Sequence, residues 1–287
     1  MSNTVAFWKG TRMNTFVYHF SPTGTTKQIA SALGKALDAN MHVIDFADPA
    51  IIEGTCTIPL AAHAEEVETS RPDAVIFAVP VFAGRVPEPA ASVLNTLSGN
   101  GTPAISVVVY GNRDFDDALV ELNDILARQG FSVVASGAFI AQHSMNPSVA
   151  AGRPDEKDFD DIEAFARRIS EKLSAAGACH AGQADRANQT TSLDVPGNRP
   201  YKESPASNWV PEVSDDCTLC GVCASRCPVG AIPCDAPNTT EPTCFQCMRC
   251  VSVCPEGARH LPAPVAAMIG EKLAPIAGVR KPNLTWL

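Results

Sequence analysis

Positive charge is scarce in this 287-residue chain: 22 lysines and arginines face 31 aspartates and glutamates, a formal net charge of −9. Nucleic acids and anionic membrane surfaces are met by basic faces, so this balance argues against both as partners. An acidic surface suits docking to the basic patches of redox proteins. No apolar run approaches the ~18–20 residues of a membrane span. Residues 1–10 lack a basic stretch followed by an apolar core, so no export signal is read there. The two familiar phosphate-binding glycine patterns are missing as well. G-x-x-x-x-G-K-[ST] does not occur, and the sole G-x-G, Gly99-Asn100-Gly101, precedes a predicted strand instead of following one. Neither a nucleotide-triphosphatase loop nor a separate nicotinamide-binding domain is expected.

Cysteine, by contrast, is abundant, at 11 residues. Without an export signal the expected compartment is the reducing cytoplasm, where thiolates hold metals more often than they form disulfides.

The first 175 residues alternate strand and helix patterns. Apolar runs at residues 15–20, 42–46, 74–81, 105–110 and 132–140 read as strands buried on both faces. Helical patterns follow at 25–37, 87–97, 114–128 and 155–173, and a weaker one at 58–68. Five strands joined by crossovers predict an α/β fold: a doubly wound parallel sheet with helices on both faces. The predicted organisation is an N-terminal extension over 1–12 (Met13 being an alternative start), an α/β domain over 13–175, a linker or arm over 176–213, a small cysteine-rich α+β domain over 214–262 and a tail over 263–287. The tail either packs back through its apolar patch at 265–269 and Trp286 or frays. Within the arm, the segment from Pro196 to Tyr201 is read either as an element that helps dock the two modules or as a rigid Pro-rich spacer.

Nine cysteines fall between residues 214 and 262. Cys217, Cys220, Cys223 and Cys227 are spaced C-x2-C-x2-C-x3-C and followed by Pro228. Cys244, Cys247, Cys250 and Cys254 repeat the spacing and are followed by Pro255. Three thiolates two residues apart wrap one face of a cuboidal cluster. In two-cluster ferredoxins the fourth cysteine of each such run ligates the other cluster. Two [4Fe–4S] clusters are therefore expected. Cluster I takes Cys217, Cys220, Cys223 and Cys254; cluster II takes Cys244, Cys247, Cys250 and Cys227. A zinc ribbon uses paired C-x2-C units and has no role for a third and fourth cysteine before proline. Cys234, Cys56 and Cys179 have no partner spacing and are read as small buried apolar residues, not ligands.

After the first strand comes Ser21-Pro22-Thr23-Gly24-Thr25-Thr26-Lys27. Hydroxyls and a glycine between a buried strand and a helix N-terminus make an anion site, because uncapped N–H groups and the helix dipole both point there. Two further loops leave the carboxyl ends of strands three and four, where open parallel sheets bind ligands. One runs through Pro80, Val81, Phe82, Ala83, Gly84, Arg85 and Val86, the other through Tyr110, Gly111, Asn112, Arg113, Asp114 and Phe115. Each offers glycine for close backbone approach and an aromatic ring for stacking.

On these residues the chain resembles flavodoxins, and more closely the proteins that fuse a flavodoxin-like domain to a two-cluster ferredoxin. The likeness runs from about Thr15 to Leu261. It implies FMN, with Ser21, Thr23, Gly24, Thr25 and Thr26 on the phosphate and residues 82–86 and 111–115 bordering the ring. It matches Gly84 to the backbone group that responds to the protonation state of flavin N5. Thr25 stands where flavodoxins usually have Asn, and the first ring loop has no Trp. His143, in the loop after the fifth strand, is a candidate proton donor or a packing residue.

The function expected is electron transfer between the clusters, FMN and a one-electron partner protein of ferredoxin or flavodoxin type. The alternative is a flavin-dependent reductase of a small quinone-, porphyrinogen- or enoate-like substrate, with the clusters as electron inlet. A redox-sensing module is a third class with little in its favour. An open pocket beside Phe82, Phe115 and His143 would favour the reductase.

Overall fold

The computed structural model describes residues 13–38, 40–54, 72–179, 193–204 and 208–287. The helical pattern at 58–68 and Cys56 lie outside them.

The first strand, β1 (Thr15–His19), is buried at all five positions. Helix α1 (Thr25–Leu37) follows and buries Thr26, Ile29, Ala30, Leu33 and Gly34, an i, i+3, i+4, i+7, i+8 stripe. Gly34 lets that helix close on the sheet, since a Cβ there would meet a Val17 methyl carbon at 2.7 Å. Next come β2 (His42–Asp45), the short α2 (Pro49–Ile52), β3 (Ala74–Pro80), α3 (Glu88–Leu94), β4 (Pro103–Tyr110), α4 (Ala118–Arg128), β5 (Ser132–Ile140) and α5 (Glu156–Cys179). Strands β1 to β5 are parallel, in the spatial order β2-β1-β3-β4-β5. That order is one of the two common doubly wound arrangements, the flavodoxin-like one. Ile29, Leu33, Ile162, Phe165 and Ile169 fill one face of the sheet. Leu94, Leu119, Leu122, Leu126 and Phe131 fill the other.

Three expectations change. Strand β2 is not buried on both faces: His42 and Val43 are exposed because β2 is the sheet edge. Helix α4 begins at Ala118 rather than at 114, since Asp116 turns the chain with φ 43°. The tail neither frays nor merely packs. After α8 (Ala263–Leu273) and a 3-10 turn it forms β8 (Leu284–Trp286), which pairs antiparallel with β5 and adds a sixth strand to the expected five. Asn283 Oδ1 accepts the Ile140 N–H, and its amide donates to Asp158 and Asp161. Asp158 is buried against Arg153.

The cysteine-rich segment is compact. A two-stranded ribbon of β6 (Glu212–Val213) and β7 (Arg259–His260) brings its ends together, and it holds the short helices α6 (Val222–Ser225) and α7 (Arg249–Val253). Residues 193–204 of the arm lie along α4. Asp117 accepts the backbone N–H groups of Asn198 and Lys202, and Asp124 accepts from Arg199 and the Tyr201 hydroxyl. The segment thus packs on the α/β domain.

Candidate functional site

The two cysteine runs adopt one loop conformation twice. Leu219 and Gly221 in the first, Gln246 and Met248 in the second, have φ between 57° and 74°. Each lies between consecutive ligands, and Gly221 and Met248 then cap α6 and α7. Left-handed residues at these places turn successive N–H groups inward, as a concave anion site requires. The Gln246 N–H faces Cys244 Sγ at 3.5 Å, and the Ala231 N–H faces Cys227 Sγ at 3.2 Å.

Around these loops lie two separate small cavities. One is bordered by Cys217, Cys220, Cys223 and Cys254. The other is bordered by Cys244, Cys247, Cys250 and Cys227. Each therefore takes three sulfurs from one run and the fourth from the other. Nine cysteines in the described residues are free thiols. Among the described residues no three His, Cys, Asp or Glu side chains converge so that they could hold a single metal ion. Four thiolates spread around a cavity instead fit a cuboidal cluster, in which each sulfur meets its own iron. Burial pushes the Cys247 thiol up to about 12 and Cys250 to about 11, so binding a cluster there must release these two protons. Cys234 borders neither cavity, but it is exposed and not the small buried residue expected.

A third cavity, of about 540 Å³, opens at the carboxyl ends of β1, β3, β4 and β5, within the ~300–1,000 Å³ usual for small-molecule sites. Thr23, Thr25 and Thr26 line it at the start of α1. Gly24 caps that helix with φ 94° and makes no side-chain cap bond, so the helix start meets the cavity in the manner of an anion site. Ser21 and Gly24 are not themselves in the wall; the Ser21 hydroxyl accepts the Lys27 N–H and shapes the turn.

From the first ring loop Pro80, Val81, Phe82, Ala83, Arg85 and Val86 line the cavity. Phe82 and Arg85 exchange both backbone hydrogen bonds across Ala83 (φ 51°) and Gly84 (φ 85°), a two-residue turn of the mirror-image type. Gly84 does not fit the N5-responding role: it faces Asp116, which a Cβ would meet at 2.3 Å, and its carbonyl accepts the Asp117 N–H. It is held on the far side of the turn.

The second ring loop divides. Tyr110 and Gly111 line the cavity, whereas Asn112, Arg113 and Phe115 do not. The Asn112 amide donates to the carbonyls of Ile276 and Val279, Arg113 pairs with Asp116, and Phe115 is buried between Tyr110 and Trp286. These three residues seat the C-terminal tail. Burial pushes Tyr110 up to about 12, with the Asp114 carboxylate adding to the effect.

His143 lines the cavity and packs on Gly111, where a Cβ would meet its ring at 2.4 Å. Its Nδ1 accepts the N–H groups of Met145 and Asn146. Burial, then the Arg113 charge, holds its pKa below the usual histidine value. The ring is thus neutral near pH 7 with its proton on Nε2, able to donate one hydrogen bond.

The wall also contains residues that the motifs did not indicate: Glu121, Ser204, and the stretch Cys244, Phe245, Gln246 and Cys247. Glu121 accepts twice from the Arg85 guanidinium and once from the Val86 N–H, fixing the first ring loop. Phe245 packs against Phe20 and Phe82 at 6.1 and 6.0 Å between ring centroids. An aromatic inside a C-x-x-C unit was the available signal. The Arg249 guanidinium, buried, donates to the Ala47 carbonyl at 2.6 Å and locks the second loop to the α/β domain.

Two domain families match the sequence, both described as a 4Fe–4S binding domain, over residues 210–232 and 241–257. The chain joins a flavodoxin-like fold to two 4Fe–4S binding domains. No curated protein matches it. Among solved structures it is similar to a flavodoxin from the domain Archaea (17% identity, 56% of this chain and 99% of that one, TM-score 0.38). It is similar also to flavodoxin 2 of Bacillus cereus (16%, 55% and 99%, TM-score 0.40). A third is an NADH:FMN oxidoreductase in its apo form (14%, 64% and 100%, TM-score 0.43). The 4Fe–4S domains make this an iron–sulfur redox protein. No helix in the described residues is long and apolar enough to cross a membrane.

Proposed function

We propose that the protein is an electron-transfer flavoprotein in which two [4Fe–4S] clusters serve an FMN in the 540 Å³ cavity. One observation carries the reading: Cys244, Phe245 and Cys247 border both that cavity and the cavity of cluster II. The clusters supply one-electron chemistry, and the flavin can hold one electron or two. The chain's own part is to bind, place and seal. The start of α1, with Thr23, Thr25 and Thr26, holds the phosphate. Tyr110, Gly111 and the Phe82 turn border the ring, and Phe245 closes the side toward cluster II. Cys217, Cys220, Cys223 and Cys254 hold cluster I; Cys244, Cys247, Cys250 and Cys227 hold cluster II. The free thiols accord with work in a reducing cytoplasm, on behalf of a one-electron partner protein.

A second reading, reduction of a small substrate at the flavin, is favoured by one feature. The cavity continues past the ring loops to Gln142, His143, Ser144 and Met145, where neutral His143 can offer a proton. Phe115 takes no part in that face, being buried behind Tyr110.

Anaerobic purification followed by a redox titration monitored by EPR and visible absorption tests the proposal. Bound FMN and about eight iron atoms are expected, with electrons given to the clusters appearing on the flavin. Zinc in place of iron, or clusters that never equilibrate with the flavin, would end it. Turnover of a quinone by the fully reduced protein, faster than by its His143→Ala variant, would favour the second reading.

A further inference from the structure

The two cysteine loops share one backbone but meet different surroundings. In the second loop every residue between ligands is engaged. Phe245 packs on Phe20 and Phe82, Gln246 donates to the Trp209 carbonyl, Met248 is buried, and Arg249 grips Ala47. The matching positions of the first loop are Thr218, Leu219, Gly221 and Val222. Leu219 is 57% and Val222 36% exposed, and Thr218 and the ligand Cys220 are exposed too. The loop that mirrors an intramolecular docking face is thus turned outward, with two apolar side chains at its centre. Its rim is acidic: Asp215, Asp216 and Glu256 are exposed, and Glu256 also borders the cluster I cavity.

Resting on the function proposed above, we infer that the Leu219–Val222 face is the port at which an external one-electron carrier protein docks. The carrier presents an apolar contact ringed by lysines or arginines beside its own redox group. The charge pattern argues for this occupant, since an acidic rim around an apolar centre attracts and orients a basic partner. A small diffusible substrate would need a cavity of its own, and the one beside Leu219 is the small cavity that the four cysteines assigned to cluster I border. One electron passes at this contact: the carrier is oxidised by one electron and the protein reduced by one, or the reverse, with no bond made or broken.

Oxidised cytochrome c, a one-electron carrier with a lysine-rich edge, is the probe. It is titrated calorimetrically into the cluster-loaded, full-length protein at low ionic strength, and its reduction is followed after the protein has been photoreduced. Leu219→Lys should weaken binding and slow electron transfer at least tenfold. Met268→Lys makes the same charge change at an equally exposed site on α8, 57%, and should leave both close to wild type. Glu256→Gln with Asp216→Asn should flatten the dependence of the rate on salt. Absorption and EPR of each variant confirm loaded clusters before it is compared. Equal effects of the two lysine variants, or no binding by the wild type, would overturn the port. The underlying electron-transfer reading fails separately, if reduced clusters in the wild type leave the flavin oxidised.

Discussion

The two C-x2-C-x2-C loops are a controlled comparison inside one chain. Their spacing is identical and their left-handed positions coincide, yet one is sealed against the α/β domain and the other faces solvent. Ligand chemistry fixes the backbone, while the residues between the ligands decide what each loop meets. Phe245 and Arg249 are the side chains that reach the neighbouring domain; Leu219 and Val222 are shorter and apolar. A repeated motif can therefore be read twice, once for the metal it holds and once for the surface it offers.

The strongest way to break this comparison is to exchange the fates of the crossing ligands. Cys227→Ser and Cys254→Ser should each lower iron content from about eight to about four. Only Cys227→Ser should stop cluster electrons from reaching the flavin, because Cys227 completes the cavity that shares its wall with the flavin site. The reverse result in rapid-mixing experiments would show that the fourth ligands do not cross.

Next in size is the lock. Arg249→Ala leaves the buried Ala47 carbonyl unpaired and should cost about 1–3 kcal/mol, read from urea midpoints of the apo chain. Val222→Ala, its counterpart, should fall within about 0.5 kcal/mol of wild type. Equal losses would mean that the first loop is packed as firmly as the second.

Phe245→Ala should weaken FMN binding by roughly tenfold, in line with the ~0.5–1.5 kcal/mol of an aromatic contact together with lost burial. Thr218→Ala should leave it unchanged, both by fluorescence titration of flavin-free protein.

The smallest effect concerns the arm that brings Ser204 to the cavity beside the second loop. The Arg199 guanidinium holds the Asp124 carboxyl below its usual value, against the cost of its burial. A depressed carboxylate stabilises the folded form above its unfolded pKa of about 3.9, and this contribution disappears as pH falls through the lower folded value. Asp124→Asn should therefore speed proteolysis of the arm slightly at pH 7, by an amount suited to the ~0–1 kcal/mol of an exposed pair. At pH 3 the difference should narrow, while the first loop is cut no differently by the variant at either pH.

Much of this was legible in the sequence because it is written locally. The strands of the parallel sheet appear as apolar runs, and the proposed cluster ligands as a spacing that thiolate geometry requires. What was not legible depends on distant partners. Asn112 to Phe115 look like a ring-binding loop, but the Asn112 amide meets carbonyls more than 160 positions further along the chain, and nothing near it announces them. Gly84 looks like a glycine for close approach to a ligand, and it is a glycine for close approach to Asp116. Phe245 stands between two cysteines, and nothing next to it in the chain announces that the fold brings Phe20 and Phe82 to it. Strand β8 is three residues long, too short for alternation to declare it.

That last strand alters how the molecule is connected. The chain leaves the sheet at β5, passes through α5, the arm and the clusters, and then returns to β5 by way of β8. The cluster module is therefore an insertion clasped at both ends, not a pendant. A single break in the arm would leave it attached through the returning strand. Electron exchange between clusters and flavin would then be unimolecular, with a rate indifferent to dilution.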